Sequence, residues 1–375
     1  MNILFISNQV KTYNKGFQND FEPLLGLNHN IFWAANFSSF IGDFSTIPAT
    51  LINIPVSSNP FNLSNRKAYK TLLKEAINKD ISYIVCSTPI GGLIGRLIAK
   101  RLKIKVMYAA HGLLFFKGAP LINNTLYKAV EKVLIRYTDV IITINDEDFK
   151  AMEKMKKKKS KLYLVHGAGV DIDANSIIHI STEKKKDLLS VPKESHLITS
   201  IGFLNKNKNY SIVIKALALL KNETNIHYVI CGEGKEKSRL QKLATKLGIG
   251  DRVHLLGYRT DVFEIIKSSD AVVVPSFREG VPRVLLEAMN LGIPCIGSDT
   301  RGIRELIGYE FSRFLCNPRS DQSFADSIKY VLSNDDYCKR SIERNIVEAK
   351  KYTSTVVRKE LYDIYLEQFG KAVSK

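Results

Sequence analysis

Short apolar, β-branched runs alternate with longer amphipathic runs, and the chain carries this rhythm through twice. The first series is NILFIS (2–7), SYIVCS (82–87), IKVMYAA (104–110), DVIITIN (139–145) and KLYLVHG (161–167), with helical patterns at 64–79, 90–102 and 121–137. Strands that are apolar on both faces and separated by helices pair in parallel, within a sheet that helices cover on both sides. After a polar, lysine-containing stretch at 174–195 the rhythm restarts with HLITSIG (196–202), helix 208–221, IHYVICG (226–232), helix 235–247 and RVHLLG (252–257). It continues through a short helix at 261–267, AVVVPS (271–276), helix 282–291 and PCIGS (294–298), and the tail at 321–371 reads as helices alone. The expectation is an α/β chain with two Rossmann-like, doubly wound parallel-sheet domains, 1–178 and 179–352. A terminal helix, 353–375, would cross back over a deep interdomain cleft to the first domain. Open parallel sheets bind ligands outside the carboxyl ends of their strands, so that cleft is the expected site.

A length of 375 residues suits two domains, and 45% hydrophobic with 25% charged residues suits a globular enzyme. The formal charge of +18 is spread through the chain, with 23 basic and 13 acidic side chains in 1–178 and 32 and 24 in the remainder. Such a field suits an anionic partner, whether nucleic acid, anionic membrane or phosphorylated ligand, and does not choose among them. The five cysteines are scattered without close pairs, which excludes a zinc module and reads as buried thiols in a reducing compartment. The start, MNILFIS, runs straight into a strand pattern without a secretory leader, and no segment approaches the roughly 20 apolar residues of a membrane span. A cytoplasmic chain whose membrane contact is peripheral is expected.

The most informative stretch is SFREGVPRVLLEAMNLGIP (276–294), which follows a buried-type strand and opens a helix. Pro282 suits the first helical turn, where its missing N–H has no intrahelical partner, and Gly280 lets backbone approach a ligand. The turn through Gly280, Val281, Pro282 and Arg283 would present N–H groups and the positive end of a helix dipole, a seat for a diphosphate. Glu287, further along the helix, suits a pair of vicinal ribose hydroxyls, and Glu279 suits hydroxyls of a transferred sugar. The plainer alternative makes Glu279 a helix-start charge and Glu287 a surface residue.

The full string resembles the nucleotide-sugar signature of family-four glycosyltransferases of the GT-B fold: Glu, Gly, an apolar residue and Pro, a second Glu eight positions after the first, then Ala-Met and Gly-x-Pro. Further similarity to the exopolysaccharide and O-antigen branch runs along most of the chain. It includes SNPFNLSNRKAYKTL (58–72), STPIGGLIGRL (87–97), AAHGLLFFKGAPLIN (109–123), RYTDVIITIN (136–145) and GAGVDI (167–172), then NKNKN (205–209), CGEG (231–234), DRVHLLGYRTDV (251–262) and SDTRGIREL (298–306). The resemblance implies diphosphate contact by Lys208 and by backbone near Gly280, base contacts near Gly232, Glu233 and Gly234 and near Tyr258 and Arg259, and His111 beside the reacting sugar. Three departures stand out. Phe203 follows Gly202 where many members have a basic residue, so a second phosphate-binding cation must come from Arg278 or Arg283 or be absent. NQVKTYNKGF (8–17), with Lys15 and Gly16, replaces the double-glycine loop of many relatives beside the diphosphate or acceptor. The lysine run 156–159 has no counterpart.

No Asp-x-Asp pair with metal-ligand spacing precedes the nucleotide site, so leaving-group charge would fall to Lys208, arginine and the helix dipole, and no metal or other cofactor is expected. The resemblance implies retention of anomeric configuration, with front-face attack as the remaining route. The expected activity moves a hexose or N-acetylhexosamine from a nucleotide-diphosphate sugar, UDP-linked by analogy, to a polyprenyl-diphosphate-linked saccharide in surface polysaccharide synthesis. Phe115 and Phe116 would be core or an apolar acceptor wall. Arg66, Lys67, Lys70 and Lys74 on helix 64–79, with the patch at 154–161, would hold the protein to the anionic cytoplasmic face of a bacterial inner membrane, each basic residue contributing on the order of 1 kcal/mol. An epimerase of the same shape and a basic nucleic-acid-binding protein are the alternatives. The transferase signatures disfavour the first, and the lack of any nucleic-acid recognition motif disfavours the second.

Overall fold

A computed structural model describes residues 1–171, 189, 191–192, 194–222 and 225–370. The chain divides into two units, one of Met1–Gly169 with Ser354–Lys375 and one of Val170–Thr353. The boundary at 178/179 and most of the polar stretch at 174–195 lie outside the described residues.

In the first unit the apolar runs become β1 (Asn2–Gln9), β2 (Asn30–Asn36), β3 (Thr50–Asn53), β4 (Tyr83–Ser87), β5 (Lys105–Ala110), β6 (Val140–Thr143) and β7 (Lys161–Leu164). They form a parallel sheet in the order β3-β2-β1-β4-β5-β6-β7. Successive side chains of a strand point to opposite faces, and both faces here are dry. Leu4 and Ile6 join one core with Leu72 and Ile94 of the helices Ser64–Asn78 and Pro89–Leu102. Ile3 and Phe5 join the other with Phe21 of helix Lys15–Gly26 and Leu361 of helix Ser354–Phe369. Trp33 anchors that second core, its indole N–H donating to Ser7 Oγ at 2.9 Å and its ring meeting Phe21 edge-on at 5.2 Å. The terminal helix is tied down by charge as well. Glu360 accepts from the His166 backbone N–H at 2.9 Å, Glu367 accepts from Tyr163 Oη at 2.7 Å, and Arg358 pairs with Glu22.

In the second unit β8 (His196–Ile201), β9 (Ile226–Cys231), β10 (Val253–Gly257), β11 (Ala271–Val274), β12 (Cys295–Ser298) and β13 (Leu315–Cys316) form a parallel sheet in the order β10-β9-β8-β11-β12-β13. All five cysteines are buried, and burial pushes the Cys86 and Cys316 thiols up to about 12, so they behave as small apolar side chains. Among the described residues no helix is long and apolar enough to cross a membrane.

The sequence reading differs from these elements in several places, and the short helices Asp146–Glu153 and Ile303–Ile307 are not in it. It omits β2, β3 and the helix Lys15–Gly26, whose patterns are short or mixed, and β13, which is two residues long. The helical pattern at 121–137 is three pieces, a π-helical turn Asn123–Tyr127, an α-helix Lys128–Leu134 and a 3₁₀ turn Ile135–Tyr137. The helix expected to begin at 282 is Arg283–Asn290, with Pro282 one position earlier at its N-cap in extended backbone. The helix expected at 208 begins at Tyr210, because Lys206–Lys208 form a separate 3₁₀ turn and Asn209 adopts a left-handed conformation.

Each sheet reverses its order once in the chain path. In the first unit the reversal falls between β1 and β4, in the second between β8 and β11. At such a point the connections leave in opposite directions and open a crevice at the carboxyl ends of the two strands.

Candidate functional site

The loop after β8, residues 202–209, and the loop after β11, residues 275–282, lie at the reversal point of the second sheet. The asparagines of NKNKN bind these loops together. Asn205 Oδ1 accepts from the Lys208 backbone N–H at 3.1 Å. Asn207 donates to the Arg278 carbonyl at 2.9 Å while its own carbonyl takes the Phe277 N–H at 2.9 Å. Asn209 donates to the carbonyls of Pro275 and Pro318 at 3.2 and 2.9 Å. This stitching sets the register in which Lys208 Nζ meets Glu279 Oε1 at 2.8 Å, with both side chains mostly shielded from water. Glu279 and the Lys208 that the resemblance implied are thus joined as an ion pair.

Two glycines make the loops possible. Gly232 has φ +146°, and a Cβ there would stand 2.0 Å from the Gly202 carbonyl oxygen. Gly302 has φ +72°, and its Cβ would stand 1.8 Å from the Gly280 carbonyl oxygen. Both are backbone-to-backbone approaches that no side chain could share. The first knits the base of the β8 loop to the β9 loop, reinforced by the Gly202 N–H donating to Cys231 O at 2.9 Å and the Leu204 N–H to Glu233 O at 2.8 Å. The second presses the segment Arg301–Gly302 under the 279–280 turn. Arg301, 2% exposed, directs Nε toward the Glu279 carbonyl at 3.4 Å.

Arg301 and the three asparagines are functional-site residues that the sequence reading did not single out, although they stand inside motifs it quoted. An arginine among other charged residues and asparagines alternating with two lysines carry no distinctive pattern; only the close packing shows what they hold.

Glu287 lies part-buried one turn into helix Arg283–Asn290. Burial raises its pKa, against a smaller lowering by Arg283. A carboxylate in that position gains from hydroxyl donors that restore what water supplied. Four buried hydroxyls, Tyr210, Ser276, Ser298 and Thr300, have no hydrogen-bond partner among the described residues. The Tyr210 hydroxyl lies beside Gly202, and burial together with Glu279 raises its pKa. Ser276 stands two residues past β11 and Ser298 is the last residue of β12, two strands in which Val274 and Gly297 are in register. A buried donor left without a partner costs about 1–3 kcal/mol, which a polyoxygenated ligand would recover.

The remaining nucleotide-site expectations are distributed around these loops. Phe203 and Tyr258 are exposed, each on a loop following a strand end. Arg259 is held by Asp261 through Nε and Nη2 at 2.8 and 2.6 Å. Val281 and Arg283 flank Pro282 at the helix start, and Gly234 adopts φ +153°.

His111, Phe115, Phe116, Lys15, Gly16 and the basic helix belong to the first unit. His111 follows β5 with its ring open to solvent yet set in a small hollow with Asp20, Gly167 and Tyr365, and this crowding lowers its pKa. Burial pushes the Asp20 carboxyl up to about 7. At the reversal point between β1 and β4, Asn8 Oδ1 accepts from Thr88 Oγ1 at 2.8 Å and from the Gly91 N–H at 3.1 Å. Thr88 caps helix Pro89–Leu102 from a backbone with φ +66°, a strained setting for a β-branched residue. Gly16 N–H donates to Asn14 Oδ1 at 3.0 Å where helix Lys15–Gly26 begins. Phe115 is buried and Phe116 partly so, while Arg66, Lys67, Lys70 and Lys74 are exposed on helix Ser64–Asn78.

Comparison with known proteins converges on one family. The family description "Glycosyl transferases group 1" matches residues 181–347, and "Glycosyl transferase 4-like" matches residues 43–145. EpsD of Bacillus subtilis (strain 168), named as a glycosyltransferase, is 32% identical over 84% of this chain and 84% of its own length. An Escherichia coli UDP-Gal:alpha-D-GlcNAc-diphosphoundecaprenol alpha-1,3-galactosyltransferase is 27% identical over 80% of this chain and 78% of its own. The structure of Anabaena Alr3699/HepE in complex with UDP and glucose superimposes with a TM-score of 0.77 at 19% identity, covering 98% of this chain and 100% of that one. With the two Rossmann-like sheets and a signature string that runs from Glu279 in the loop after β11 to Glu287 in helix Arg283–Asn290, these matches establish that the chain belongs to the family-four glycosyltransferases of the GT-B fold.

Proposed function

We propose that this glycosyltransferase moves a hexose or N-acetylhexosamine from a UDP-linked donor to a hydroxyl of a polyprenyl-diphosphate-linked saccharide, with retention of configuration and without a divalent metal. The observation that carries the reading is the Lys208–Glu279 pair at 2.8 Å, set where two strand-end loops meet beside the start of helix Arg283–Asn290. A diphosphate leaving group accumulates negative charge in the transition state. Lys208, Arg283 and the helix dipole supply matching positive charge in fixed positions. Glu279, already oriented by the lysine, accepts from hydroxyls of the sugar, and Glu287 accepts from the ribose pair. The donor assignment draws support from the UDP of the Anabaena complex, and the acceptor class from the named substrate of the E. coli relative. An enzyme with such an acceptor works at the cytoplasmic face of the inner membrane, where exposed Arg66, Lys67, Lys70 and Lys74 suit anionic lipid. Tyr258 and Gly232–Gly234 are assigned to the base, and His111 to the reacting sugar.

The test is slow donor hydrolysis across UDP-, GDP- and TDP-sugars, with and without chelator. Turnover of a UDP-sugar that persists in chelator is expected. Loss of all turnover in chelator sinks the metal-free claim, and preference for a GDP- or TDP-sugar sinks the donor assignment. Product anomeric configuration, read by NMR, decides retention.

A further inference from the structure

In the first unit the helical segment after Pro120 is turned the wrong way for an ordinary amphipathic helix. Ile122, Leu126, Val130 and Val133 recur at spacings of four, four and three, one stripe of a helix, and such a stripe normally faces the core. Here the buried side is Glu131 and Leu134, while Leu121 is 80%, Ile122 61% and Leu126 47% exposed. The segment is held in that attitude by its own asparagines: Asn123 donates to Leu114 O at 2.8 Å, and Asn124 exchanges hydrogen bonds with the Phe116 backbone at 3.1 Å in both directions. The π-helical turn Asn123–Tyr127 is the kind of irregularity that recurs at functional sites.

Ile122, Leu126 and Val130 of the stripe line an apolar cavity of about 290 Å³ together with Phe61, 83% exposed, and with Leu93, Leu113 and Phe115. That is roughly twice the ~150 Å³ of a dry cavity able to hold benzene. At its inner end lie Arg96 and Glu131, joined in a two-pronged ion pair. The guanidinium lies 4.0 Å from the Tyr108 ring centroid, and its Nε donates to Gly92 O at 2.8 Å. This pair is satisfied within the protein and asks nothing polar of an occupant. Beside the cavity, and sharing Phe115 with it, is a wider basin whose lining includes Lys117, Lys128, Lys150 and Lys154 against two carboxylates, Glu147 and Asp148. The carboxylates are engaged with backbone, Glu147 accepting from the Lys117 N–H at 3.1 Å and Asp148 from the Leu113 N–H at 3.0 Å, which leaves the basin's balance positive.

We propose that these adjoining hollows form an isoprenoid-diphosphate site, the apolar cavity taking the first units of the chain and the lysine basin the diphosphate. The inference rests on the acceptor class proposed above and adds where its lipid part is held. An apolar hollow, open on one side, next to a cationic one matches a molecule with a hydrocarbon end and a diphosphate end; contact with a bilayer surface would use the stripe but not the hollow. Exposed apolar area of this extent otherwise marks an unpartnered interface.

The test uses the full chain in detergent-free buffer with farnesyl diphosphate and, separately, inorganic pyrophosphate, read by calorimetry. Farnesyl diphosphate should bind at least tenfold more tightly than pyrophosphate. Phe61→Ser and Leu126→Ser, both at exposed positions where the fold is insensitive, should each remove most of that advantage with an unchanged melting temperature. Lys128→Ala with Lys154→Ala should weaken both ligands together. Equal binding of the two ligands by the wild-type chain overturns the proposal. So does wild-type affinity in both serine variants, including the case in which they lose only binding to phosphatidylglycerol vesicles. Donor hydrolysis is measured in parallel on the wild-type chain: an absent hydrolysis with intact farnesyl diphosphate binding refutes the proposed function and leaves the lipid site standing.

Discussion

The two sheets reverse their strand order in the same way, yet the loops at the two reversal points have opposite chemistry. Between β8 and β11 the loops are hinged on glycine, cross-bonded by asparagine and charged, with Lys208 against Glu279 and Arg301 beneath. Between β1 and β4 the contact is polar and uncharged, Asn8 against Thr88, although Lys11 stands in the loop after β1, and the nearby ionisable groups are shifted toward neutrality: His111 loses its proton more easily, and Asp20 keeps its proton up to about 7. One topology therefore supplies two kinds of crevice. A charged, rigid one suits a diphosphate leaving group, and a neutral one flanked by an apolar cavity suits a hydroxyl nucleophile carried on a lipid. The general point is that parallel-sheet topology sets where a ligand sits, and loop composition sets which ligand.

The sharpest way to break this contrast is to discharge the second unit's crevice. Lys208→Met should lower kcat/KM for donor hydrolysis by about 10²–10³-fold, the usual loss for one preorganised electrostatic donor, with little change in stability. A fall of less than threefold would make the pair structural only. Glu279→Ala and Glu287→Ala should separate, the first mainly lowering kcat and the second mainly raising Kd for UDP by roughly tenfold; wild-type activity in both would remove the site.

Next in size is Gly302→Ala. Its Cβ would have to occupy the position of the Gly280 carbonyl at a positive φ, so a stability loss of about 2–3 kcal/mol is expected, with UDP affinity falling alongside. Unfolding in urea measures it, and an alanine variant as stable as the wild type would show that the 279–302 contact is not rigid. In the first unit Thr88→Ala removes a cap but keeps the strained backbone, for an expected cost of about 1 kcal/mol.

The smallest effect sharpens the neutral character of the first unit. Asp20 faces Tyr13, Tyr365 and the hollow of His111, and its native pKa, about 7, is above its ordinary value of 3.8. The folded state therefore holds the proton more tightly than the unfolded chain. The stability this contributes is complete below about pH 4 and is lost as pH rises toward 7. Asp20→Asn should escape that loss, its melting temperature gaining on the wild type by roughly 2–4 °C between pH 4 and pH 8. A constant difference across that range would show that Asp20 is ionised throughout.

Much of the second unit was legible in sequence because its elements are locally self-sufficient. The runs at 196–202, 226–232, 271–276 and 294–298 are mostly apolar on both faces, as a two-faced strand needs, and Glu279 through Glu287 is a compact string read within one turn and one helix. The first unit was less legible. NIFWAAN at 30–36 is a strand because β1 offers it an edge and Trp33 packs with Phe21, and TLIN at 50–53 because that strand in turn offers one, contacts invisible in a short mixed pattern. The basic residues of helix Ser64–Asn78 are exposed, as a charged face ordinarily is, whereas the stripe at 122–133 has the pattern of a core helix and faces outward instead. Periodicity tells which residues share a face and says nothing about whether that face meets the core.

By itself, then, the sequence determined the class of fold, the alternation of strands and helices, and the signature that joins Glu279, Pro282 and Glu287 to a helix start. These are short-range properties of propensity and spacing. Tertiary structure alone decided that Lys208 closes on Glu279 from 71 residues away, that Gly302 lies under Gly280, that Arg301 is buried, and that Phe61 and Leu126 line one cavity. Those facts depend on strand order and loop packing, where the energy lies in contacts between segments that no local pattern links.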